Sequence, residues 1–194
     1  MVEAKTEVSH EVYMGIPTDG ARFRPTRIAN MTSDFSDLIR ANQEFVKNFV
    51  PEELSGRAAQ GLAIVTCMDS RIAPLAIVGM KPGDAKILRN AGARVTEDVL
   101  RTLVLATHLL GVTRVLVMPH TDCRMATGNE PEIHQAIFET SGIDTRSMEI
   151  RTVADQRAAL DLDIVRIKTY PLLPKGLEVA GGFYDVKNGK VTFI

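Results

Sequence analysis

From residue 62 the chain alternates short, mainly apolar runs with helical patterns. The runs are LAIVT (62–66), AKILRN (85–90) and RVLVMP (114–119). A strand with one wet face alternates apolar and polar residues, whereas an unbroken run suits a strand covered on both faces. Between the second and third runs, TEDVLRTLVLATHLLGV (96–112) is apolar almost all round, starts behind Thr96 with two acids and stops at Gly111. It predicts a buried crossover helix. Strands alternating with helices pair in parallel through right-handed crossovers, so the expected fold is α/β, a Rossmann-like, mostly parallel sheet flanked by helices.

The flanking segments complete this frame. NEPEIHQAIFETSG (129–142) has a cap, a first-turn Pro and early acids, and a further helix is expected over much of 152–168. The chain ends in LEVAGGFYDVKNGKVTFI, where Asn188-Gly189 between alternating segments predicts a C-terminal β-hairpin. Upstream, TSDFSDLIRANQEFVKNFVP (32–51) places Phe35, Leu38, Ile39, Phe45, Val46 and Phe49 near one face of an N-terminal helical arm. Thr32 or Ser33 is its expected cap and Pro51 its terminator. Its apolar face can dock on its own domain or on a partner subunit. Residues 1–30 mix Gly, Pro, Thr and charges and are expected to be an extension, with 31–194 forming a single domain.

Lys and Arg together number 23 against 24 Asp and Glu, a balance that points to no nucleic-acid or membrane-surface partner. No stretch approaches the ~18 uninterrupted apolar residues of a membrane span, and the N-terminus lacks a signal-peptide core, so a cytoplasmic protein is expected. A reducing cytosol would not normally join the two cysteines, Cys67 and Cys123, in a structural disulfide. Packing, chemistry and metal binding are left as their possible roles.

Their neighbours are informative. VTCMDSR (65–71) and MPHTDCRM (118–125) both follow strands, where functional groups of open parallel sheets collect. The first delivers Cys67 and the second His120 and Cys123. Two thiolates and an imidazole suit zinc, and three protein ligands leave a fourth position. There is no third Cys to close the site; His10 lies in the arm, His108 in the apolar helix and His134 on the helix after the site. Asp69, two positions from Cys67, points to the same side if the chain stays extended. Arg71 can grip it in a bidentate pair. Asp69 is then either a fourth ligand or an acceptor that aims a water held at the metal. The simpler alternative is a plain strand-end salt bridge. A nucleotide-binding protein is disfavoured, since neither Gly-x-Gly-x-x-Gly nor Gly-x4-Gly-Lys-Ser/Thr follows any strand.

Cys-x-Asp-x-Arg as CMDSR, RNAG, and His-x-x-Cys as HTDC, in this order, closely resemble the beta-class carbonic anhydrases of small bacterial and archaeal type, over about residues 32–194. The resemblance implies one Zn2+ per subunit on Cys67, His120 and Cys123, the catalytic dyad Asp69 and Arg71, and Asp69 as a fourth ligand in a closed form. It also implies a substrate pocket that includes Ala91, Gly92 and Arg124, and a homodimer or dimer of dimers with the N-terminal helix wrapped over its neighbour. The implied reaction is reversible hydration of CO2 to bicarbonate and a proton by zinc-bound hydroxide. Zinc lowers the pKa of its water to about 7, a figure whose standard example is itself a carbonic anhydrase. Arg124 stands where the family usually has Gly, which bears on substrate choice: relatives on this scaffold hydrolyse carbonyl sulfide or carbon disulfide, linear electrophiles like CO2. A zinc or thiol sensor without turnover is a further alternative, which leaves the Asp69–Arg71 pair unexplained.

Overall fold

A computed structural model describes residues 35–194, and the chain divides into two units, Met1–Glu52 and Glu53–Ile194. In the first unit, α1 spans Ser36–Lys47, and its apolar residues Leu38, Ile39, Phe45 and Val46 are exposed. The chain leaves the helix at Asn48, ahead of Pro51: the Asn48 and Phe49 amides donate to the carbonyls of Phe45 and Val46, tightening the last turn. Thr32, Ser33 and the extension 1–30 lie outside the described residues.

In the second unit the apolar runs form strands: β1 (Leu62–Cys67), β2 (Ala85–Asn90) and β3 (Arg114–Met118). They are joined by β4 (Glu178–Tyr184) and β5 (Val191–Phe193) in the order β2-β1-β3-β4-β5. The first four strands run parallel and β5 is antiparallel to β4. Every residue of β1 is buried, as its unbroken apolar run requires. The hairpin around Asn188-Gly189 is therefore the edge of the main sheet.

Helices α3 (Glu97–Leu109) and α5 (Gln156–Lys168) cover one face, where Ala63, Val65, Val115 and Val117 meet Leu100, Leu103, Leu160 and Ile167. Alternate residues of the same strands point the other way, so Leu62, Ile64, Leu116 and Met118 pack with Ile72 and both cysteines. Thr96 caps α3 by accepting the Val99 amide. Asn129 and Glu132 close a capping box on α4 (Glu130–Ser141), which ends at left-handed Gly142. A one-turn helix, α2 (Pro74–Ile77), follows β1; four residues are too few to show a period in the sequence. Gly181 lets α5 approach β4, because a Cβ there would lie 2.7 Å from Ile164 Cδ1. No helix among the described residues is long and apolar enough to cross a membrane.

Candidate metal centre

Strand register brings the two motifs together. Thr66 pairs with Met118 across β1 and β3, so Cys67 and His120 emerge together beyond the carboxyl ends of these two neighbouring strands. The buried Thr66 hydroxyl fixes that register by donating to the Met118 carbonyl at 2.7 Å. On its other side His120 bridges to Tyr184 of β4.

The donor atoms of Cys67, His120 and Cys123 all lie within 4.8 Å of one another, and all three residues are buried. The sulfurs are 3.9 Å apart. Two sulfurs each about 2.3 Å from a tetrahedral zinc would stand about 3.8 Å apart. His120 Nδ1 lies 2.8 Å from the Thr121 carbonyl, which only accepts, so the proton belongs on Nδ1 and the lone pair on Nε2. Among the described residues, His120 Nε2 is the one buried side-chain polar atom without a hydrogen-bond partner. An orphaned imidazole nitrogen facing two thiols costs stability unless a cation takes its lone pair. The trio therefore fits a metal ion, and its donor chemistry fits zinc.

Beside the trio, Arg71 grips Asp69 through Nε to Oδ1 at 2.9 Å and Nη2 to Oδ2 at 2.7 Å, and the Arg71 amide also donates to Oδ1. The Arg71 side chain, and then its amide, hold the Asp69 carboxyl well below the usual carboxylate range. Asp69 Oδ2 lies 3.8 Å from His120 Nε2, so the carboxylate faces the trio. Arg71 also donates to Asp122 Oδ2 at 2.8 Å and to the Asp122 carbonyl at 3.0 Å.

Several supports were not legible as such in the sequence. Arg89 donates to three carbonyls of the first loop, those of Cys67, Asp69 and Ile72. Nothing set Arg89 apart in AKILRN, which also carries Lys86. Arg94 and the buried Asp163 of α5 pair at 2.7 Å, and the Asn90 side chain brackets the Arg94 backbone. These bonds hold the RNAG loop so that the Gly92 amide reaches the Cys67 sulfur at 3.4 Å. Gly92 has φ +80, and a Cβ there would press on Met125 at 3.2 Å. Gln156 donates to the His120 carbonyl at 3.0 Å.

The expected pocket residues separate. Gly92, with Met125, Val117 and Ala126, lines a cavity beside Cys123. Ala91 faces a polar hollow near Thr96 and Arg151. Arg124 is exposed, and its guanidinium donates to Thr127 Oγ1 at 3.1 Å. His134 bonds Thr145 and His108 the Leu172 carbonyl, so neither joins the trio; His10 lies outside the described residues.

Burial, and then the nearby Cys67 sulfur, push the Cys123 thiol up to about 11 from an ordinary 9.0. Cys123 is thus protonated near neutrality, and a metal must displace that proton. Apparent zinc affinity is expected to rise about tenfold per pH unit for each proton released, and a competition titration at about pH 6, 7 and 8 measures that slope. In metal-free protein the raised value has the opposite consequence. The stability it contributes is fully present below the ordinary 9.0 and is lost as pH climbs through about 11.

The carbonic anhydrase family model matches residues 62–191. Beta-carbonic anhydrase 1 of Mycobacterium tuberculosis is 38% identical over 159 residues, which cover 80% of this chain and 94% of that one. The crystal structure of a carbonic anhydrase from Streptococcus mutans superposes with a TM-score of 0.77 at 36% identity, covering 82% of this chain and 96% of that one. A carbon disulfide hydrolase of an Acidianus species is 28% identical over 156 residues, covering 67% of this chain and 75% of that one. With the family model matching well over half its length, the chain belongs to the carbonic anhydrase family, in its beta class.

Proposed function

We propose that this protein catalyses the reversible hydration of carbon dioxide to bicarbonate and a proton, with one zinc ion per subunit held by Cys67, His120 and Cys123. The observation that carries the reading is the orphaned, buried His120 Nε2 facing two sulfurs, with an ionised carboxylate 3.8 Å away. Zinc bound there would supply a Lewis acid that makes water acidic enough to react near neutral pH.

The chain's own residues do the rest. Nδ1 of His120, donating to the Thr121 carbonyl, fixes the ring and keeps Nε2 available as a ligand. The Gly92 amide offers a hydrogen bond to the Cys67 sulfur. Asp69, kept ionised by Arg71, is too weak a base to take up a proton near neutrality. Its role is to accept a hydrogen bond and so turn a water's lone pair toward the CO2 carbon. Water and CO2 then give bicarbonate, and the proton leaves to solvent. Gly92, Met125 and Ala126 place small or apolar groups beside Cys123, a setting compatible with a small uncharged substrate.

The carbon disulfide hydrolase relative favours a second reading, hydrolysis of carbon disulfide or carbonyl sulfide on the same scaffold. Zinc stoichiometry, CO2 hydration and sulfide release measured on one preparation separate the two. The expected result is one zinc per chain with rapid CO2 hydration; sulfide release with negligible CO2 hydration would reverse the order. Protein that stays folded, metal-free and inactive when zinc is supplied would overturn both. We further infer a homodimer or dimer of dimers, supported by the exposed apolar residues of α1 and tested by molecular mass in solution.

A further inference from the structure

Arg71 is held from two sides, and only one of its carboxylate partners lies on its own loop. Asp69 and Arg71 are two residues apart, and the Arg71 side chain is 45% exposed. A pair so placed is worth little by itself and can swing as a unit with its loop. Two further bonds cross to the other ligand-bearing loop, between His120 and Cys123: Nη1 donates to Asp122 Oδ2 and Nη2 to the Asp122 carbonyl. To make them, Asp122 sits at φ 55, a left-handed conformation that Asp and Asn tolerate better than other residues with a Cβ. Backbone strain of this kind beside a site indicates a geometry the site requires.

We propose that Asp122 is a positioning residue: by clamping the Arg71 guanidinium to the second ligand loop, it holds Asp69 in one orientation beside the three metal ligands. Four directed bonds then use four of the five guanidinium N–H groups, two toward each aspartate. With Arg71 fixed at this third point, Asp69 cannot move from its place facing the trio into a ligand position without breaking its bidentate pair. Without the Asp122 carboxylate, Arg71 keeps only the residue-122 carbonyl on the second loop, and Asp69 is freer to drift with it.

The effect on turnover rests on the hydration reading; the clamp itself does not. The test compares Asp122→Asn with Asp122→Gly. Asn keeps the left-handed conformation and one acceptor oxygen, while Gly keeps the conformation and removes the side chain. For Asp122→Gly we expect kcat to fall by about 10-fold or more, in the range of lost supporting bonds around a metal site, with KM and zinc content unchanged. Asp122→Asn should recover most of that loss. Restricted rotation of the Arg71 guanidinium, read by 15N NMR, should be present in wild type and Asp122→Asn and absent in Asp122→Gly. Unchanged kcat and unchanged Arg71 rotation in Asp122→Gly would overturn the proposal. So would equal losses in both variants with Arg71 still held, which would assign the effect to the carboxylate's charge. If the wild-type protein hydrates no CO2, the function reading fails while the NMR comparison still decides the clamp.

Discussion

Replacing Cys123 with Ala is expected to give a folded protein that holds no stoichiometric zinc and hydrates CO2 near the background rate. The Cys123 side chain is almost wholly buried among apolar neighbours. Exchanging its thiol for a hydrogen removes one sulfur's volume and should cost on the order of 1 kcal/mol, well within the stability of a domain of this size. The loss of function has a different origin. Cys67 and His120 alone leave a site of two donors, below the three a catalytic zinc needs. With the Lewis acid goes the several kcal/mol it contributes, so the rate should fall by at least about 10³-fold. Circular dichroism, metal analysis and stopped-flow hydration on the same sample separate unfolding from metal loss. Stoichiometric zinc with a rate within about tenfold of wild type would show that Cys123 is not a ligand.

What the sequence disclosed and what it hid divide along a physical line. Strand β1 was legible because burial on both faces leaves an unbroken apolar run, Leu62–Cys67, whereas β2 at the sheet edge buries only Leu88 and carries Lys86 and Arg89. The starts of α3 and α4 were legible because capping is local: Thr96 and Asn129 satisfy amides three residues ahead. Cys67, His120 and Cys123 stood out as a candidate metal cluster because groups gather where parallel strands end. The structure adds the register, Thr66 opposite Met118, that puts Cys67 and His120 together at the carboxyl ends of β1 and β3.

The supports of the site were hidden because they are long-range bonds from side chains to backbone or to distant partners. Arg89 reaching three carbonyls, Arg94 meeting Asp163 and Asp122 crossing to Arg71 have no period and no local pattern. The end of α1 also differed from expectation. Its last amides turn to carbonyls three residues back, so the helix stops before Pro51 is reached. Of the pocket residues that the family resemblance implied, Gly92 lies beside Cys123, Ala91 starts a 3-10 turn and the Arg124 guanidinium donates to Thr127, placements that no local pattern in the sequence shows.

Asp69→Asn is expected to keep zinc and lose turnover. The substitution is nearly isosteric, and Cys67, His120 and Cys123, the proposed ligands, are untouched. It removes the charge that Arg71 neutralises, however, and it turns an NH2 group toward one of the guanidinium donors. The orienting acceptor is then lost or misdirected, and kcat should fall by about 10²–10³-fold, the usual contribution of a positioned acid–base or acceptor group. Because Asp69 is held well below the usual carboxylate range, it stays ionised through any neutral assay, so the loss should be the same at every pH from mildly acidic to alkaline. Stability should respond at the acid end instead. A depressed carboxyl contributes stability that is present above its ordinary 3.8 and is lost as pH falls, so wild type and variant should converge in strongly acidic solution. A variant with normal zinc and full rate would remove Asp69 from the reaction and leave Cys67, His120 and Cys123 as a metal site whose chemistry lies elsewhere.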